Sequence, residues 1–272
     1  MSAIKKWMIY IVLIAVAIYL TFPFVWLLST SFKGQMETIF PNPPQWIPES
    51  PTFENYQMVF IRVNMFRSLL NSALITVIGI FFNVFTAALA AYPLARIDFR
   101  GKKVVFGLIM ATLMIPIQGT MIVNYITLKH LGLIDQFLGV VLPSAVNVIG
   151  IVILKATYEG VPTEMEEAAR VDGCGEFKLW LRVMMPIIKP ALAAVSILAF
   201  VYYWNDFMWP LIIIKDPDKY PLQVALSRLE SVFQTNFRYV TAGAVLSMLP
   251  ILLFFALTQR FFIEGTKGAV KG

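Results

Sequence analysis

The sequence is poor in the residues from which metal, disulfide and catalytic sites are built. Its 272 residues include a single cysteine, Cys174, and a single histidine, His130. One cysteine excludes an internal disulfide framework, and with only one histidine it argues against a Cys/His metal site. Also absent are the GxxxxGK(S/T) phosphate loop, the GxSxG nucleophile elbow and the HExxH zinc helix. We therefore expect a chain that is not an enzyme and binds no metal or cofactor; a polytopic enzyme is the weakest alternative.

Charged residues are scarce as well. They make up 14% of the chain, against about a quarter in soluble domains. Hydrophobic residues make up 58%, and the mean hydropathy is +0.74. This composition excludes a soluble globular protein. The net charge of +6 would suggest nucleic acid in a soluble protein. In so apolar a chain, basic loops facing the cytoplasm explain it better, so we expect no nucleic acid partner.

What the sequence has instead is six apolar runs, each long enough to cross a bilayer, which takes about 20 residues. They cover approximately residues 7–28, 69–94, 104–128, 137–154, 191–214 and 239–263. The first run could be a cleaved signal peptide, but its apolar core exceeds the usual length of about 7–15 residues, which favours an uncleaved anchor. The predicted fold class is therefore all-α, a polytopic integral membrane protein with six transmembrane helices.

The runs divide the chain into four parts. We predict an N-terminal transmembrane helix at 1–32, an extracytoplasmic loop at 33–66, a five-helix transmembrane domain at 67–263 and a cytoplasmic tail at 264–272. Six spans place both termini on one side of the membrane. That side receives 14 of the Lys and Arg residues and the other side 8. The positive-inside rule makes the richer side cytoplasmic, so we expect both termini in the cytoplasm.

A charged stretch between the fourth and fifth runs, about residues 157–189, differs from its apolar surroundings. Thr163 and Glu166 have capping-box spacing, which predicts a helix beginning at Glu164. Gly173 stands where a helix would end in a left-handed turn, and Pro186 ends a second amphipathic piece. The apolar positions predicted for that piece are Phe177, Leu181, Met184 and Met185. Two short helices joined by a glycine elbow, lying between two spans, would form a docking knob.

Polar side chains inside the runs carry a cost, and an Asp at a span's centre costs about 2.5–3.5 kcal/mol on insertion scales. Asp206 is the one carboxylate well inside a run. It could face a cavity or partner, or lie solvated near the outer headgroups. Amide side chains could line a polar path or join helices by hydrogen bonds, and Pro116 predicts a kink or break in the third run. Candidates for a translocation path are Asn83, Gln118, Asn147, Asn205 and Asp206.

The charged stretch also carries a family motif. Glu167-Ala168-Ala169, Gly173 and Val183-x-Met185-Pro186 match the spacing EAA-x3-G-x9-I-x-L-P. With valine and methionine replacing isoleucine and leucine, the chain resembles the membrane subunits of binding-protein-dependent ABC importers. The family usually has alanine where Cys174 stands. Further features resemble the carbohydrate-uptake, maltose-type branch: Asp172 before Gly173, Pro186 with Pro190, Asn71-Ser72, Trp204-Asn205-Asp206-Phe207 and the C-terminal residues 268–272.

The resemblance implies that the first helix of the knob is a coupling helix, which fits a cleft on a cytoplasmic ATPase subunit. Carried over to this chain, Glu167 would contact the ATPase, Ala168 and Ala169 would let the helix seat closely, and Gly173 would turn the chain. The full set of ATPase-coupling residues expected on this basis is Glu166, Glu167, Ala168, Ala169, Asp172, Gly173 and Pro186.

The resemblance also implies partners. These are a homologous permease subunit, two cytoplasmic ATPase subunits that use ATP and Mg, membrane lipid, and an extracytoplasmic binding protein that delivers a sugar or oligosaccharide. The loop between Lys215 and Arg238 would face the binding protein. The expected location is the cytoplasmic (inner) membrane of a bacterium or archaeon.

Two alternatives to a sugar importer stay open. The first is an importer permease for another solute, such as a glycerol-phosphate-like compound, a peptide or an amino acid, which would share the motif. The second is a secondary transporter, which should show an inverted internal repeat and an ion-coupling carboxylate.

Overall fold

The structure, a computed structural model, describes residues 3–229 and 236–269. The predicted all-α class is confirmed, because the regular elements in these ranges are all helical. In chain order the α-helices are α1 (Ala3–Ser31), α2 (Glu54–Arg62), α3 (Met65–Arg96), α4 (Lys102–Ala111), α5 (Ile117–His130), α6 (Phe137–Val141), α7 (Val148–Glu159), α8 (Glu164–Val171), α9 (Glu176–Leu179), α10 (Met185–Ile187), α11 (Lys189–Asn205), α12 (Met208–Ile213), α13 (Leu222–Ser227) and α14 (Phe237–Ala269). Short 3₁₀ turns occur at Thr112–Met114, Leu142–Ser144 and Pro217–Lys219, and a π turn at Trp180–Met184.

Three of the described helices are long and apolar enough to cross a membrane by themselves. They are Ile4–Ser31 of α1, Met65–Arg96, which is the whole of α3, and Phe237–Gln259 of α14. Three further helix pairs meet the same test only when each pair is counted as one bent span. Length and composition thus support between three and six crossings in the described part of the chain.

The middle runs are not continuous helices, contrary to a simple reading of the sequence. The third run breaks at Pro116, which precedes α5 in an extended conformation, so the break predicted from this proline is confirmed. The fourth run bends by 54° between α6 and α7. A bend of 80° separates Glu176–Ile187 from α11. Helix α11 itself ends at Asn205, and the next residue, Asp206, has an extended ψ of 122°. The run predicted at 191–214 is therefore two helices.

The C-terminal residues are helical further than the sequence indicates. Helix α14 continues through residues 264–269, part of the segment predicted as a tail. Residues 270–272, the end of the family-like C-terminal motif, lie outside the described residues. So do residues 230–235 of the loop expected to face a binding protein.

Contacts divide the chain into two units, the first formed by residues 1–66 and 225–250. Within it, the loop after α1 is tied together by charged side chains. Lys33 is fully buried, and its Nζ donates to two carbonyl oxygens of the loop at 3.3 and 3.2 Å. Burial opposes ionisation of Glu37, but hydrogen bonds, led by those from the backbone and side chain of Ser50, outweigh it and lower its pKa to about 2. The predicted polar loop is therefore an ordered structure.

The second unit comprises residues 67–224 and 251–272. Its core lies between α3, α7 and α11, where small residues let the helices approach closely. A Cβ atom built on Gly150 of α7 would lie 3.1 Å from Val195 and 3.3 Å from Ala87. This core extends to α8 and α9, and it therefore positions the candidate site.

Candidate functional site

Helix α8 begins at Glu164, as the sequence predicts, but the capping box does not form. Thr163 has helical dihedral angles (φ −67°, ψ −28°), and its side chain makes no capping hydrogen bond. The carboxylate of Glu166 instead turns inward to Arg96 at the end of α3. A tertiary ion pair has replaced the local cap because Glu166 is buried, with 4% of its surface exposed.

The end of α8 confirms the left-handed turn predicted at Gly173. This glycine has φ +78°, in the left-handed region that side chains with a Cβ atom rarely adopt. The Gly173 N–H donates to the carbonyl oxygen of Arg170 at 3.0 Å, and the Cys174 N–H donates to that of Ala169 at 3.0 Å. These two bonds form a Schellman motif, which satisfies the last carbonyls of the helix and reverses the chain.

Glu166 is the centre of an ion-pair network beneath α8. One carboxylate oxygen accepts from Nε of Arg96, and the other lies 3.4 Å from Nη2 of Arg170. Arg96 also donates from Nη2 to the carbonyl oxygen of Val161 at 2.9 Å. The Arg96 and Glu166 side chains are 9% and 5% exposed. Buried charges of this kind are tolerated only when paired and hydrogen-bonded, and here both conditions hold.

The network continues across the elbow to the second piece of the knob. Arg170 donates from Nε to a carboxylate oxygen of Glu176 at 2.9 Å. The other oxygen of Glu176 accepts from the hydroxyl of Tyr92 at 3.2 Å. Tyr92 lies on α3, one turn before Arg96. Both arms of the elbow are thus bound to the same end of α3.

The second piece buries only part of the predicted apolar face: Met184 is buried as predicted, but Phe177 and Leu181 are not. Phe177 and Leu181 are 66% and 49% exposed, whereas Leu179, Trp180 and Met184 are buried. The physical reason is the π turn at Trp180–Met184, in which hydrogen bonds span five residues. Leu179 and Met184, five positions apart, therefore share a face. A period of 3.6 residues misplaces the apolar face in this segment.

The predicted coupling residues divide between two sides of the knob. Glu167, Ala168, Asp172, Gly173 and Pro186 are exposed. Glu166 and Ala169 face inward, and Ala169 packs in the core cluster with an exposed fraction of 8%. The expected part of Ala169 in letting the helix seat closely on an ATPase stays a prediction. Its small side chain serves the packing of α8 against its own chain.

Three of the translocation-path candidates lie near the break in the fourth run or on a helix that contacts it. Asn83 of α3 is buried, and its Nδ2 donates to the carbonyl oxygen of Ser144 at 3.1 Å. Asn147 caps α7, because its Oδ1 accepts from the Gly150 N–H at 3.1 Å. Asn205 is exposed, ends α11 and donates back to its own helix at 2.8 Å. The α11 tyrosine hydroxyls reach the break: Tyr202 to Ser144 Oγ at 2.7 Å and Tyr203 to Val141 O at 3.3 Å.

The other two candidates occupy different positions. Asp206 is half-buried at the junction of α11 and α12, where it accepts weakly from the Trp209 N–H at 3.4 Å. Gln118 is exposed in the first turn of α5, beyond the separate break at Pro116. The five candidates therefore do not form one cluster. At the break in the fourth run, Asn83 joins two helices by a hydrogen bond and Asn147 caps one of them.

Sequence reasoning did not find Arg96, Arg170, Glu176 or Trp180. Arg96 is visible in the sequence only as one basic residue in a basic loop. Its partner Glu166 is 70 positions away, so no local pattern reveals the pair. Arg170 and Glu166 do have the i, i+4 spacing of a helical ion pair, which was an available signal.

Comparisons with known proteins agree on one family. Residues 83–267 match the model described as binding-protein-dependent transport system inner membrane component. The arabinooligosaccharides transport system permease of Halalkalibacterium halodurans is 31% identical, covering 100% of this chain and 98% of that protein. The melibiose/raffinose/stachyose import permease of Bacillus subtilis is 31% identical over 92% of this chain and 91% of that one. A chain of a bacterial ABC transporter for the acidic polysaccharide alginate has the same fold, with a TM-score of 0.82, 24% identity and coverage of 95% and 96%.

Proposed function

The chain belongs to the family of inner membrane components of binding-protein-dependent transport systems, and from this premise we propose that it forms, with a homologous permease subunit, the path of an ATP-driven sugar importer. It is a multi-pass membrane permease and not itself catalytic. ATP and Mg are used by two cytoplasmic ATPase subunits, and an extracytoplasmic binding protein delivers the substrate.

The observation that carries this proposal is the construction of α8. Its outer side presents Glu167, Ala168 and Asp172, ahead of the Gly173 turn. A short helix with a small residue between carboxylates can enter a groove that larger side chains could not. We assign Glu167, Ala168, Asp172, Gly173 and Pro186 to the face that contacts the ATPase. Glu166 and Ala169 are assigned to holding that face in place.

A saccharide is the proposed substrate class. The support comes from relatives that are similar over nearly the whole chain and are named for arabinooligosaccharides and for melibiose, raffinose and stachyose. An importer permease for a glycerol-phosphate-like compound, a peptide or an amino acid is the second candidate, because the EAA motif is common to both. A secondary transporter is the least supported, since the exposed EAA face would then have no partner.

We place both termini, α8 and α9 in the cytoplasm of a bacterial or archaeal cell. The distribution of Lys and Arg, 14 on that side against 8 on the other, supports this orientation. The loop that begins at Lys215 would then lie outside, facing the binding protein. Its described part is anchored: Asp135 accepts from the N–H groups of Lys215 and Asp216 at 2.9 and 3.0 Å and pairs with Lys219 at 2.7 Å.

Within the membrane, we propose that Asn205 and Asp206 are the path candidates with free access, since both retain exposed surface. The path would run beside the junction of α11 and α12. Asn83 and Asn147 would support its wall by fixing the break between α6 and α7. Gln118 would belong to the path only if the α4–α5 break borders it.

The test is co-purification and reconstitution. The wild-type chain and Gly173→Asp are each expressed with the candidate permease partner, ATPase and binding protein. We expect wild type to retain the ATPase and to show ATP hydrolysis stimulated by the binding protein with one of a panel of oligosaccharides, while the variant inserts normally but loses both. A folded wild-type chain that carries down no ATPase and takes up solute on an ion gradient would instead favour the secondary transporter.

A further inference from the structure

Arg96 and Glu166 form a buried ion pair at a place where packing alone does not require charged residues. It lies where α3 ends and α8 passes over it, with both side chains less than a tenth exposed. Around it the core cluster is apolar, including Val161, Ala169 and Leu179. Apolar residues of similar volume would serve simple stability there at least as well, because removing two charges from water is costly.

Unlike an ordinary surface ion pair, this pair connects the end of α3 both to α8 and to the link that precedes α8. Arg96 donates both to Glu166 and to the carbonyl oxygen of Val161, in the link between α7 and α8. One guanidinium therefore holds the entry to the docking helix and its first turn. Because these contacts are directional, they fix the rotation of α8 as well as its distance from α3. Apolar packing would leave that rotation less defined.

The rotation of α8 decides which residues face outward. Glu167 and Ala168 follow Glu166 directly, so turning the Glu166 carboxylate inward points its two neighbours away from the core. If α8 could rotate about its axis, Glu167 and Ala168 would both turn away from the exposed side.

We infer that Arg96 and Glu166 are positioning residues for coupling: their buried pair makes the docking helix and the end of α3 move as one body. This inference rests on the proposed function, because it gives the pair a part in transmitting movement from the ATPase. Neither residue touches the ATPase or the solute. Glu166, grouped by sequence with the contact residues, acts through Glu167 and Ala168.

The experiment uses the reconstituted complex with binding protein and measures two quantities. The first is the ratio of ATP hydrolysis with the binding protein to hydrolysis without it. The second is the distance distribution between spin labels at Asp98→Cys and Val171→Cys, both exposed, in a Cys174→Ala background. Arg96→Gln and Glu166→Gln are compared with matched controls at exposed positions nearby: Arg100→Gln, in the loop after α3, and Glu164→Gln, on α8.

For Arg96→Gln and Glu166→Gln we expect ATPase binding and basal hydrolysis to persist. The stimulation ratio should fall about tenfold, within the range of typical coupling free energies, and the label distribution should broaden. Both controls should resemble wild type. The charge-reversed double variant, Arg96→Glu with Glu166→Arg, should recover part of the stimulation ratio. Glu166→Asp should keep a higher stimulation ratio than Glu166→Gln, because it keeps the carboxylate. Rescue and uncoupling at constant assembly are results that a purely structural role would not produce.

The proposal is overturned if both glutamine variants keep the wild-type ratio and label distribution while Gly173→Asp uncouples the complex. If Gly173→Asp also leaves coupling intact, the proposed docking function itself has failed, and the two failures are thereby distinguished. If the glutamine variants do not fold, Glu166→Asp and the charge-reversed pair decide. A charge-reversed pair that assembles with the ATPase but is not stimulated by the binding protein would count against the inference.

Discussion

The indole Nε1–H of Trp180 donates a hydrogen bond to the hydroxyl of Tyr158 at 3.0 Å, and both side chains are buried. Trp180 lies in the π turn behind the docking helix, and Tyr158 lies in the last turn of α7. The Tyr158 ring is in turn 5.5 Å from that of Tyr92 on α3. These contacts complete the core next to α8, so α8 and the π turn are supported by α3 and α7.

Loss of the Trp180 donor should therefore weaken the fold of the second unit. For Trp180→Phe we expect a lower free energy of unfolding, by about 1 kcal/mol for the hydrogen bond and more for the lost ring volume. Thermal unfolding in detergent is the measurement. Trp7→Phe, at an exposed position of α1, is the control. A Trp180→Phe protein as stable as the control would mean that the contact contributes nothing.

Gly173 offers a test of the elbow that separates backbone conformation from crowding. A Cβ atom there would meet nothing of this chain within 4 Å, so within the chain the only penalty is the positive φ. The left-handed conformation costs residues other than glycine about 1–2 kcal/mol, less for asparagine and more for β-branched residues. We expect ATPase retention to fall in the order Gly, Asn, Ala, Val.

The matched control for this series is Gly175, two residues further on. Its φ is −70°, and a Cβ atom there would also meet nothing within 4 Å. Gly175→Ala should retain the ATPase like wild type. Equal losses at both glycines would show that the left-handed turn is not the cause.

Charge reversal on the outer face of α8 should uncouple the transporter without unfolding it. Glu167 is exposed, so Glu167→Arg should leave insertion and stability within about 0.5 kcal/mol of wild type. It should sharply lower uptake per ATP hydrolysed, because the carboxylate is proposed to face the ATPase. Unchanged uptake by Glu167→Arg and Gly173→Asp alike would contradict the docking assignment.

Close packing of α3 on α11 can be tested at Gly79. A Cβ atom at this position would lie 2.4 Å from the ring of Tyr203, which is too close for any real contact. Gly79→Ala should therefore force the helices apart and destabilise the protein by about 1–3 kcal/mol. Gly107→Ala in α4, where a Cβ atom meets nothing within 4 Å, should be neutral or slightly stabilising. Thermal unfolding of the two variants side by side is the measurement.

The conformation of the loop that begins at Lys215 should depend on pH through Asp135. The side-chain hydrogen bond from Lys219, with backbone donors at Asp216 and Lys215, overcomes burial and lowers the pKa of Asp135 to about 2. Because the pKa is lowered, the carboxylate stabilises the loop fully at pH values above its ordinary pKa of 3.8. The stabilisation is lost as the pH falls towards 2.

Amide hydrogen exchange at Lys215 and Asp216 reports this directly. In wild type, protection beyond the intrinsic pH dependence should be constant at neutral pH and fall only below pH 3.8. Asp135→Asn should reduce protection already at neutral pH, whereas Asp98→Asn, at an exposed site in another loop, should not. Full protection in Asp135→Asn would show that the charge is not what holds the loop.

Some of the site could be read from the sequence because its causes are local. The start of α8 at Glu164 and its end at Gly173 follow from charge pattern and glycine conformation within ten residues. The break at Pro116 follows from a proline that cannot donate a hydrogen bond. These features need no knowledge of what packs against them.

The direction of Glu166 could not be read in the same way. The capping-box rule gives its carboxylate a partner three residues away, but Arg96, 70 residues away, is the partner it has. The π turn at Trp180–Met184 could not be read either: Trp180 in this turn bonds to Tyr158, 22 residues away, and a regular helical period misplaces Phe177 and Leu181.

By itself the sequence determined the membrane class, the helical fold and the family, since each depends on composition, run length or a contiguous motif. Only the tertiary structure decided which side of α8 faces outward, where the fourth and fifth runs break and which polar side chains bond to backbone groups at a break. Those properties depend on contacts between α3, α7, α8 and α11, helices that are distant along the chain. Pairing a buried charge outweighs a local cap, because an unpaired buried charge costs more than a cap contributes.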